Sequence, residues 1–475
     1  MFWANFLHIY QPPTQKPLWV KRISDESYRK IIVELKKSPQ VKITLNINGI
    51  LCELLDKNDC RDVIADIKSL AQRGQIELTG SAKYHAFLPK LPLSEIIRQI
   101  KLNEETLKKY FGSAWQRKGF FPPEMAYSKK VAAAAEKLGY QYILVDELAF
   151  PSIQIKKVYQ ENQIKTDRLY EIKGLKDFFV FFRERNFSFR VLSAQIGAVS
   201  VLLRELGDRI SKNEYLFTAM DGETFGHHRP GLEKLLFEIS TDPQLKTVTI
   251  SELISLFSER ETVEPRDSTW ALVPRDLARN LPYARWADPK NKIQVWQWQL
   301  TKLAIKVIHQ SYEVQLRKID NKGKTKEKAR NLLDAALHSD QYWWASARPW
   351  WSLEMIERGA KELKDTILIA PGSSAKDKKS AQDLYSKIIF TGFEWQRSGL
   401  VDEISRQEDE ETRERLEEKE KLFITKEEYE KMIETLKEQM YAAAKNEEYQ
   451  RAGMIHDRIR ELREEMEKNF SYQVL

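Results

Sequence analysis

The chain has 475 residues, of which 42% are hydrophobic and 31% are charged, and its formal net charge is +7. These values are ordinary for a globular protein, and the length predicts more than one domain. No apolar run approaches the ~20 residues of a membrane-spanning helix, and the apolar start has no basic leader, so we expect a cytoplasmic protein without a membrane anchor.

Through about residue 260, short apolar runs alternate with amphipathic stretches, as in VKITL, IEL, YILV and YLFTAM. This alternation predicts repeated β/α units. The strand-like runs end in polar residues, at positions 8–11, 46–48, 79–81, 124, 146–147 and 221–228. In a barrel of parallel strands these carboxyl ends converge on one rim, where active sites lie. We therefore predict an α/β barrel for residues 1–263.

Beyond residue 263 the pattern changes. A connection rich in Pro, Asp and Trp leads into segments with helical spacing of apolar residues, so residues 264–400 are predicted to form a helical domain packed against the barrel. Residues 401–475 contain 14 Lys and Arg against 22 Asp and Glu, a net charge of −8. Their pattern predicts a charged linker helix and then a helical hairpin that turns near Asn446.

Cysteine content and charge exclude several classes of protein. Cys52 and Cys60 are too few for a disulfide framework, and no CxxC pair suggests a zinc site. The basic residues are interspersed with acidic ones and form no known nucleic-acid motif. We therefore expect no nucleic-acid partner.

Two acidic segments are candidates for catalysis. Glu124 follows Pro122 and Pro123, whose rings restrict the backbone, so the segment that carries the carboxyl group is rigid. Asp221 and Glu223 end an apolar run, a place where crowded polar groups rarely serve packing. Cleavage of a glycosidic bond uses two carboxyl groups, ~5 to 5.5 Å apart for retention of configuration or ~6.5 to 9.5 Å apart for inversion. The sequence leaves that separation open.

Four segments in order resemble the conserved regions of glycoside hydrolase family 57. They are HIYQPP at residues 8–13, GQIELTGSAKYHAFLPKLP at 74–92, GFFPPE ending at Glu124, and MDGETFGHH starting at Asp221. The resemblance implies that Glu124 is the nucleophile and Asp221 the general acid/base of a retaining enzyme. It also implies an incomplete (β/α)7 barrel followed by a helical domain, and activity on α-linked glucans without a cofactor or required metal.

The same resemblance implies a set of sugar-binding side chains around the two carboxyl groups. LPYARWADPKNK is similar to a loop near the sugar site of some members, and LHSDQYWWASARPWW is loosely similar to the fifth conserved region, with Trp344 and Ala345 in place of its His-Gly. The expected substrate-binding residues are His8, Gln11, His85, Glu223, His227, His228 and Trp286.

Residues 429–462 resemble the UVR motif that the excision-repair proteins UvrB and UvrC share with some unrelated bacterial proteins. The segment departs from the usual pattern at Gln450, Gly453 and His456. Its two apolar stripes bury little alone, so the hairpin is expected to pair with another hairpin or to dock on its own body. The resemblance implies a protein partner or self-association through residues 426–468.

Two other functions remain open. A metal-dependent hydrolase similar to polysaccharide deacetylases would use His8, Asp221 and His227 or His228 as ligands and would depend on a divalent metal. A non-catalytic carbohydrate-binding scaffold would work through its hairpin and turn over no glucan. Within the enzyme hypothesis, the sequence does not distinguish hydrolysis from transfer to an acceptor sugar.

Overall fold

A computed structural model of the chain describes residues 1–151, 164–313, 323–348, 350–417 and 424–470. The strands in these residues are β1 (Phe2–Ile9), β2 (Ile43–Ile47), β3 (Ile76–Leu78), β4 (Gly119–Phe120), β5 (Tyr142–Asp146), β6 (Leu169–Ile172), β7 (Phe179–Arg183), β8 (Tyr215–Asp221), β9 (Lys246–Thr247) and β10 (Arg260–Val263).

Helices of the N-terminal half lie between or after these strands. They are α1 (Pro17–Ile23), α2 (Arg29–Lys37), α3 (Gly49–Lys57), α4 (Arg61–Gln72), α5 (Leu93–Phe111), α6 (Lys129–Lys137), α7 (Arg185–Leu192), α8 (Val199–Leu206), α9 (Leu232–Thr241) and α10 (Ile250–Leu256). A π-helical segment, Ser24–Tyr28, joins α1 to α2.

The C-terminal half of the described chain is helical. Its helices are α11 (Pro274–Ala278), α12 (Ala284–Ala287), α13 (Lys292–Glu313), α14 (Gly323–Ala336), α15 (Asp340–Trp343), α16 (Leu353–Ile369), α17 (Ala375–Arg397), α18 (Leu400–Glu417), α19 (Lys426–Lys445) and α20 (Tyr449–Phe470). Within the described residues, no helix is both long and apolar enough to cross a membrane.

Seven parallel strands form a barrel in the order β1, β2, β3, β4, β5, β7, β8, and β8 returns to pair with β1. The strands belong to two sheets. A parallel bridge between Gly80 and Phe120 joins the sheets on one side, and the Glu184 N–H donates to the Phe217 carbonyl at 2.9 Å on the other. Neighbouring strands within each sheet pair over two to seven residues, whereas each of these two links is a single bridge or hydrogen bond. The barrel is therefore incompletely closed.

Aromatic and small side chains alternate along the strands and fill the barrel interior. Phe6, Phe121, Leu144, Phe181 and Phe217 are buried together there. Because the interior is a packed core, polar side chains at the carboxyl ends of the strands have room only at the rim.

The helical half shares one buried core with the barrel, since Ile143 and Val145 of β5 lie in the same apolar cluster as residues of α13, α14, α16 and α17. Ion pairs between Arg98 and Asp334 and between Glu95 and Arg330 tie α5 to α14. This packing brings the chain after α14 to the carboxyl-end rim of the barrel.

Helices α19 and α20 form the expected hairpin, which docks on its own barrel. Tyr429, Met432, Ile455, Ile459 and Leu462 are buried in a core shared with α8 and α9. Tyr449, the first residue of α20, is 70% exposed, and Ile455, six residues further along the helix, is buried. In the turn after α19, Glu447 has a left-handed backbone conformation, with φ of 59°.

Candidate active site

Glu124 occupies a constrained turn directly after β4. The 3-10 turn Pro123–Met125 holds Glu124 and Met125 at positive φ, 63° and 46°. Such a conformation costs a non-glycine residue about 1–3 kcal/mol and persists where the surroundings fix it. Here the Trp270 backbone N–H donates to the Glu124 carbonyl at 3.1 Å. The two prolines and this contact fix the direction of the Glu124 side chain.

The Glu124 carboxyl group receives hydrogen bonds from segments far apart in the chain. Trp270 Nε1 donates to Oε2 at 2.9 Å, and Ser339 Oγ lies 3.2 Å from Oε1 as a donor. His85 Nδ1 lies 3.7 Å from the same Oε1. The side chain of Glu124 is 15% exposed, so it reaches the rim but is largely shielded from water.

Asp221 is the last residue of β8 and stands beside His8 of β1 in the parallel register. The next residue, Gly222, lies against β1 so closely that an added Cβ would be 2.5 Å from Ile9 Cγ2. Gly226 has φ of 105°, and its Cβ would collide with the Glu26 carbonyl oxygen. Glycine at these two positions allows the loop after Asp221 to turn back over the rim.

Burial raises the pKa of both carboxyl groups that the sequence predicted to be catalytic. The pKa of Glu124 rises to about 8, mainly through burial, and the negative charges of Asp340 and Asp221 add to the increase. Burial raises the pKa of Asp221 to about 6, although the nearby Arg183 guanidinium opposes the change. Near neutral pH Glu124 therefore keeps its proton, whereas Asp221 is largely ionised.

Glu223 is held below the rim by three donors. Its Oε1 accepts hydrogen bonds from the Tyr28 hydroxyl at 2.5 Å, the Tyr10 backbone N–H at 3.0 Å and Gln11 Nε2 at 3.4 Å. Burial and the charge of Asp221 raise the pKa of Glu223 to about 7. Gln11 and Glu223 therefore lie together and orient each other.

His8 and His85 lie in a row of buried side chains that leads to Glu124. His8 Nδ1 is 2.8 Å from Asn46 Oδ1, His8 Nε2 is 3.1 Å from His85 Nε2, and His85 Nδ1 is 2.9 Å from Ser339 Oγ. Burial lowers the pKa of His8 well below its ordinary value and that of His85 to about 4. Both imidazoles are therefore neutral near pH 7.

A charged cluster from the helical half completes this side of the site. Asp340 Oδ2 accepts hydrogen bonds from the Tyr10 hydroxyl at 2.6 Å and from His338 Nδ1 at 3.0 Å. Burial alone would lower the pKa of His338, but its bonds to Asp340 and Glu362 raise it to about 9. The His338 hydrogen bond likewise outweighs burial and lowers the pKa of Asp340.

Three predicted substrate-binding residues have other surroundings. His227 Nδ1 is 2.6 Å from Glu26 Oε2, and His228 lines a cavity between the loop after β8 and the C-terminal hairpin. Trp286 is fully buried, stacked between the rings of Phe87 and Trp343. Five of the predicted residues thus belong to two hydrogen-bonded groups, Glu124 with His85 and His8, and Glu223 with Gln11. Asp221 lies at the end of β8 beside His8, where its negative charge raises the pKa of Glu124 and of Glu223. His227, His228 and Trp286 lie outside both groups.

Sequence reasoning missed the residues that contact Glu124 from outside the barrel strands. Trp270 lies in the connection rich in Pro and Trp, and Ser339 and Asp340 lie at the start of the segment LHSDQYWW. The loose resemblance of that segment to the fifth conserved region was the sequence observation that could have pointed to Ser339 and Asp340. Tyr10 and Tyr28, both near the first conserved region, carried no separate signal.

The side chains of the site do not form a metal centre. In the parts of the chain that the structure describes, no group of three or more His, Cys, Asp or Glu residues could hold a metal ion. His8 points its two nitrogens at Asn46 and His85, and His227 bonds Glu26. The ligand set that a deacetylase-like hydrolase would need is therefore not assembled by these residues.

The protein is thus an α/β-barrel protein, with seven parallel strands and buried carboxyl groups at the carboxyl-end rim. A sequence model of glycosyl hydrolase family 57 matches residues 8–266, more than half of the chain. The chain belongs to glycosyl hydrolase family 57. A second model, the UvrB/uvrC motif, matches residues 430–465 in the hairpin, which confirms that resemblance.

Relatives of this chain carry several names. An alpha-amylase from Pyrococcus horikoshii is 24% identical over 332 residues, with coverage of 66% of this chain and 48% of the amylase. A 4-alpha-glucanotransferase from Thermococcus litoralis is 21% identical over 305 residues, with coverage of 61% of this chain and 42% of the transferase. The chain thus spans about half the length of the curated relatives it matches.

A solved structure shares the fold. The crystal structure of a GH57 branching enzyme from Thermococcus kodakaraensis matches with a TM-score of 0.61 at 18% identity, covering 81% of this chain and 94% of the enzyme chain. The predicted fold, an incomplete (β/α)7 barrel with a helical C-terminal part, is confirmed.

Proposed function

We propose that the chain is a retaining enzyme that acts on α-linked glucans, with Glu124 as nucleophile and Asp221 as general acid/base. The supporting observation is a pair of buried carboxyl groups at the ends of β4 and β8 whose charges interact and whose pKa values are both raised. The substrate class is supported by the amylase and glucanotransferase names of the relatives.

In the first step, Asp221 gives its proton to the glycosidic oxygen while a Glu124 oxygen attacks the anomeric carbon. The bond from that carbon to the leaving sugar breaks, and an ester to Glu124 forms. In the second step, Asp221 takes a proton from water or from an acceptor sugar hydroxyl, whose oxygen attacks the anomeric carbon and releases Glu124. The reactive form thus has its proton on Asp221 and an ionised Glu124, which is the reverse of the distribution that the pKa values of about 8 and about 6 give the free site. Positive charge that develops on the substrate beside Glu124 favours the reactive form.

The nucleophile assignment predicts the behaviour of Glu124→Ala. Turnover of soluble starch or maltooligosaccharides should fall by at least several orders of magnitude, because no covalent intermediate can form. Sodium azide fits the vacated space and should restore part of the turnover as a glycosyl azide, detected by mass spectrometry. Glu264→Ala, which removes an exposed carboxylate paired with Lys129, is the matched control and should keep full activity.

Two outcomes would contradict the assignment. Unchanged turnover in Glu124→Ala would eliminate Glu124 as the nucleophile. An inverted anomeric configuration of the first-formed product, followed by ¹H NMR, would replace the double displacement by a single displacement through water.

The choice between hydrolysis and transfer is tested by products. Starch, glycogen, pullulan and maltooligosaccharides are incubated with the full chain, and reducing ends, chain lengths and branch points are measured. Reducing ends that rise with every bond cleaved indicate hydrolysis. Chains that lengthen or branch without new reducing ends indicate transfer to a sugar hydroxyl.

The same assay separates the two other functions. We expect activity to survive dialysis against EDTA, whereas loss of activity that zinc or another divalent metal restores would support the deacetylase-like alternative. Absence of turnover on every glucan, with glucan binding retained by the double variant Glu124→Gln and Asp221→Asn, would support the scaffold alternative.

A further inference from the structure

Five buried side chains form one uninterrupted row of hydrogen bonds that ends at Glu124. From the far end the row runs through Thr79, Asn46, His8, His85 and Ser339 to Glu124, with consecutive polar atoms 2.8 to 3.2 Å apart. Thr79 and Asn46 are completely buried, and His8, His85 and Ser339 are at most 3% exposed. With water excluded, an unmatched donor or acceptor in the row would cost about 1–3 kcal/mol.

The chemistry of each member allows two consistent directions for the row. Each neutral imidazole has one N–H and one acceptor nitrogen, and each hydroxyl donates one hydrogen. If His8 Nδ1 donates to the Asn46 carbonyl oxygen, His8 Nε2 must accept from His85 Nε2. His85 Nδ1 must then accept from the Ser339 hydroxyl, whose oxygen is left to accept a proton from Glu124. This direction requires a protonated Glu124.

The opposite direction requires an ionised Glu124. The Ser339 hydroxyl then donates to Glu124 Oε1, His85 Nδ1 donates to Ser339, and His8 Nε2 donates to His85. His8 Nδ1 becomes an acceptor, and a half-turn of the Asn46 amide presents its NH₂ group to it. The Thr79 hydroxyl can follow this half-turn, because it can accept from the amide or donate to it.

We propose that Asn46, His8, His85 and Ser339 form a reversible row that couples the ionisation of Glu124 to the tautomers of the two histidines. Asn46, four hydrogen bonds from the carboxyl group, and Ser339 are positioning residues. The inference rests on the proposed function for its catalytic meaning, since the reactive form needs an ionised Glu124. Ser339 and the two imidazoles carry three hydrogens in either direction, one on the hydroxyl and one on each ring. The one proton by which the two directions differ is that of Glu124, which passes to solvent or to Asp221.

The groups facing Glu124 favour the protonated direction in the free site. Asp221 at the end of β8 and Asp340 after α14 raise its pKa, while Trp270 and Ser339 lower it by donating hydrogen bonds. His85 is neutral, and the Tyr10 hydroxyl bonds Asp340. A positive charge that develops on the substrate beside Glu124 would favour ionisation of Glu124. The row then reverses, so that the Ser339 hydroxyl donates to the carboxylate and every other donor in the row still has an acceptor.

The test reads the tautomers directly from protein labelled with ¹⁵N in its histidines. As pH rises through the titration of Glu124, at a pKa of about 8, His8 should change from its Nδ1–H to its Nε2–H form. His85 should change from Nε2–H to Nδ1–H with the same midpoint, and neither ring should become cationic. Histidines that keep one tautomer while Glu124 titrates would overturn the proposal.

Glu124→Gln is the variant that locks the row. Trp270 Nε1 must face the amide oxygen, which leaves the NH₂ group as a donor toward Ser339, as in protonated Glu124. The tautomers of His8 and His85 should then show no change with pH. A change that persists in Glu124→Gln would overturn the coupling to Glu124.

Ser339→Ala cuts the row between Glu124 and His85, so Glu124 should titrate without any tautomer change. Ser346→Ala, which removes a buried hydroxyl further along the same segment, should leave the change intact. In Asn46→Leu an N–H on His8 Nδ1 would lack a partner, so the opposite direction is favoured and the pKa of Glu124 should fall. A pH profile of kcat/KM unmoved by Asn46→Leu would exclude Asn46 as a positioning residue. The NMR results do not depend on turnover, so they stand apart from a failure of the proposed function.

Discussion

Glu124 holds its proton more tightly in the folded protein than in the unfolded chain. Ionisation of Glu124 therefore lowers the free energy of unfolding. Its pKa is raised from 4.5 to about 8, chiefly by burial. A carboxyl group whose pKa is raised on folding stabilises the protein below the unfolded pKa, and that contribution is lost as pH rises toward the folded value. The window of this effect is therefore pH 4.5 to about 8.

Glu124→Gln should therefore gain stability relative to the native chain as pH rises through this window. The gain is at most roughly 1.4 kcal/mol for each pH unit, because glutamine has no charge to bury. Urea denaturation at several pH values measures it as a difference in the free energy of unfolding. Glu264→Gln, at an exposed position, should show no gain, and a difference for Glu124→Gln that does not change with pH would refute the burial argument.

At the scale of single residues, the sequence predicted the two carboxyl groups but not their surroundings. Glu124 and Asp221 follow apolar strands within a few residues, so a local pattern places them at the rim. Trp270 and Ser339 reach Glu124 from segments without strand periodicity. Their positions depend on how the helical half packs, which no local pattern encodes.

At the scale of elements, apolar runs predicted strands well because buried strands need continuous hydrophobic sequence. The polar stretch of residues 371–382 has the composition of a loop, yet α17 starts at Ala375 within it. Ser374 and Asp377 form a capping box there, whose reciprocal hydrogen bonds outweigh the polar composition. The sequence predicted the hairpin, but it left open whether the hairpin pairs with another hairpin or docks on its own barrel.

The docking of the hairpin is tested by matched truncations on α19 and α20. Ile459 is 3% exposed at the barrel surface, so Ile459→Ala should lower the free energy of unfolding by roughly 2–5 kcal/mol. Tyr441 is 68% exposed on the outer face, and Tyr441→Ala should change stability by no more than about 0.5 kcal/mol. Equal effects of the two variants, measured by urea denaturation, would mean that the hairpin does not dock this way in solution.

The docked hairpin also contacts α9, the helix that follows the loop after β8. Arg451 Nη2 donates to Glu233 Oε1 at 2.6 Å, and Gln439 packs against Gly231 at the start of α9. The apolar stripes face the barrel, so a partner that binds these same stripes would first have to displace them. The motif and the barrel are therefore joined through the loop that begins at Asp221.

At the scale of the whole molecule, the site is shared between the barrel and the helical half. The barrel supplies both predicted catalytic carboxyl groups, and the chain after α14 supplies Ser339 and Asp340. Glu95 of α5 holds α14 through a buried ion pair with Arg330, and Arg98 of α5 adds a partly exposed ion pair with Asp334. Because Ser339 lies only three residues beyond the end of α14, these ion pairs fix where its hydroxyl meets Glu124.

Glu95→Gln should therefore reduce both stability and activity. Arg330 would lose its ionic partner on α5 but keep Asp334 on its own helix, so the cost should stay below the roughly 3–5 kcal/mol of a buried charge left without a partner. A shift of α14 by about 1 Å would displace Ser339 and could lower kcat/KM by about 100-fold. Lys129→Ala breaks an exposed ion pair on α6 and should cost no more than about 1 kcal/mol with unchanged kcat/KM. Activity is compared at a temperature where circular dichroism shows each variant fully folded. If Glu95→Gln is destabilised there but keeps the kcat/KM of the native chain, the ion pairs stabilise the fold without positioning Ser339.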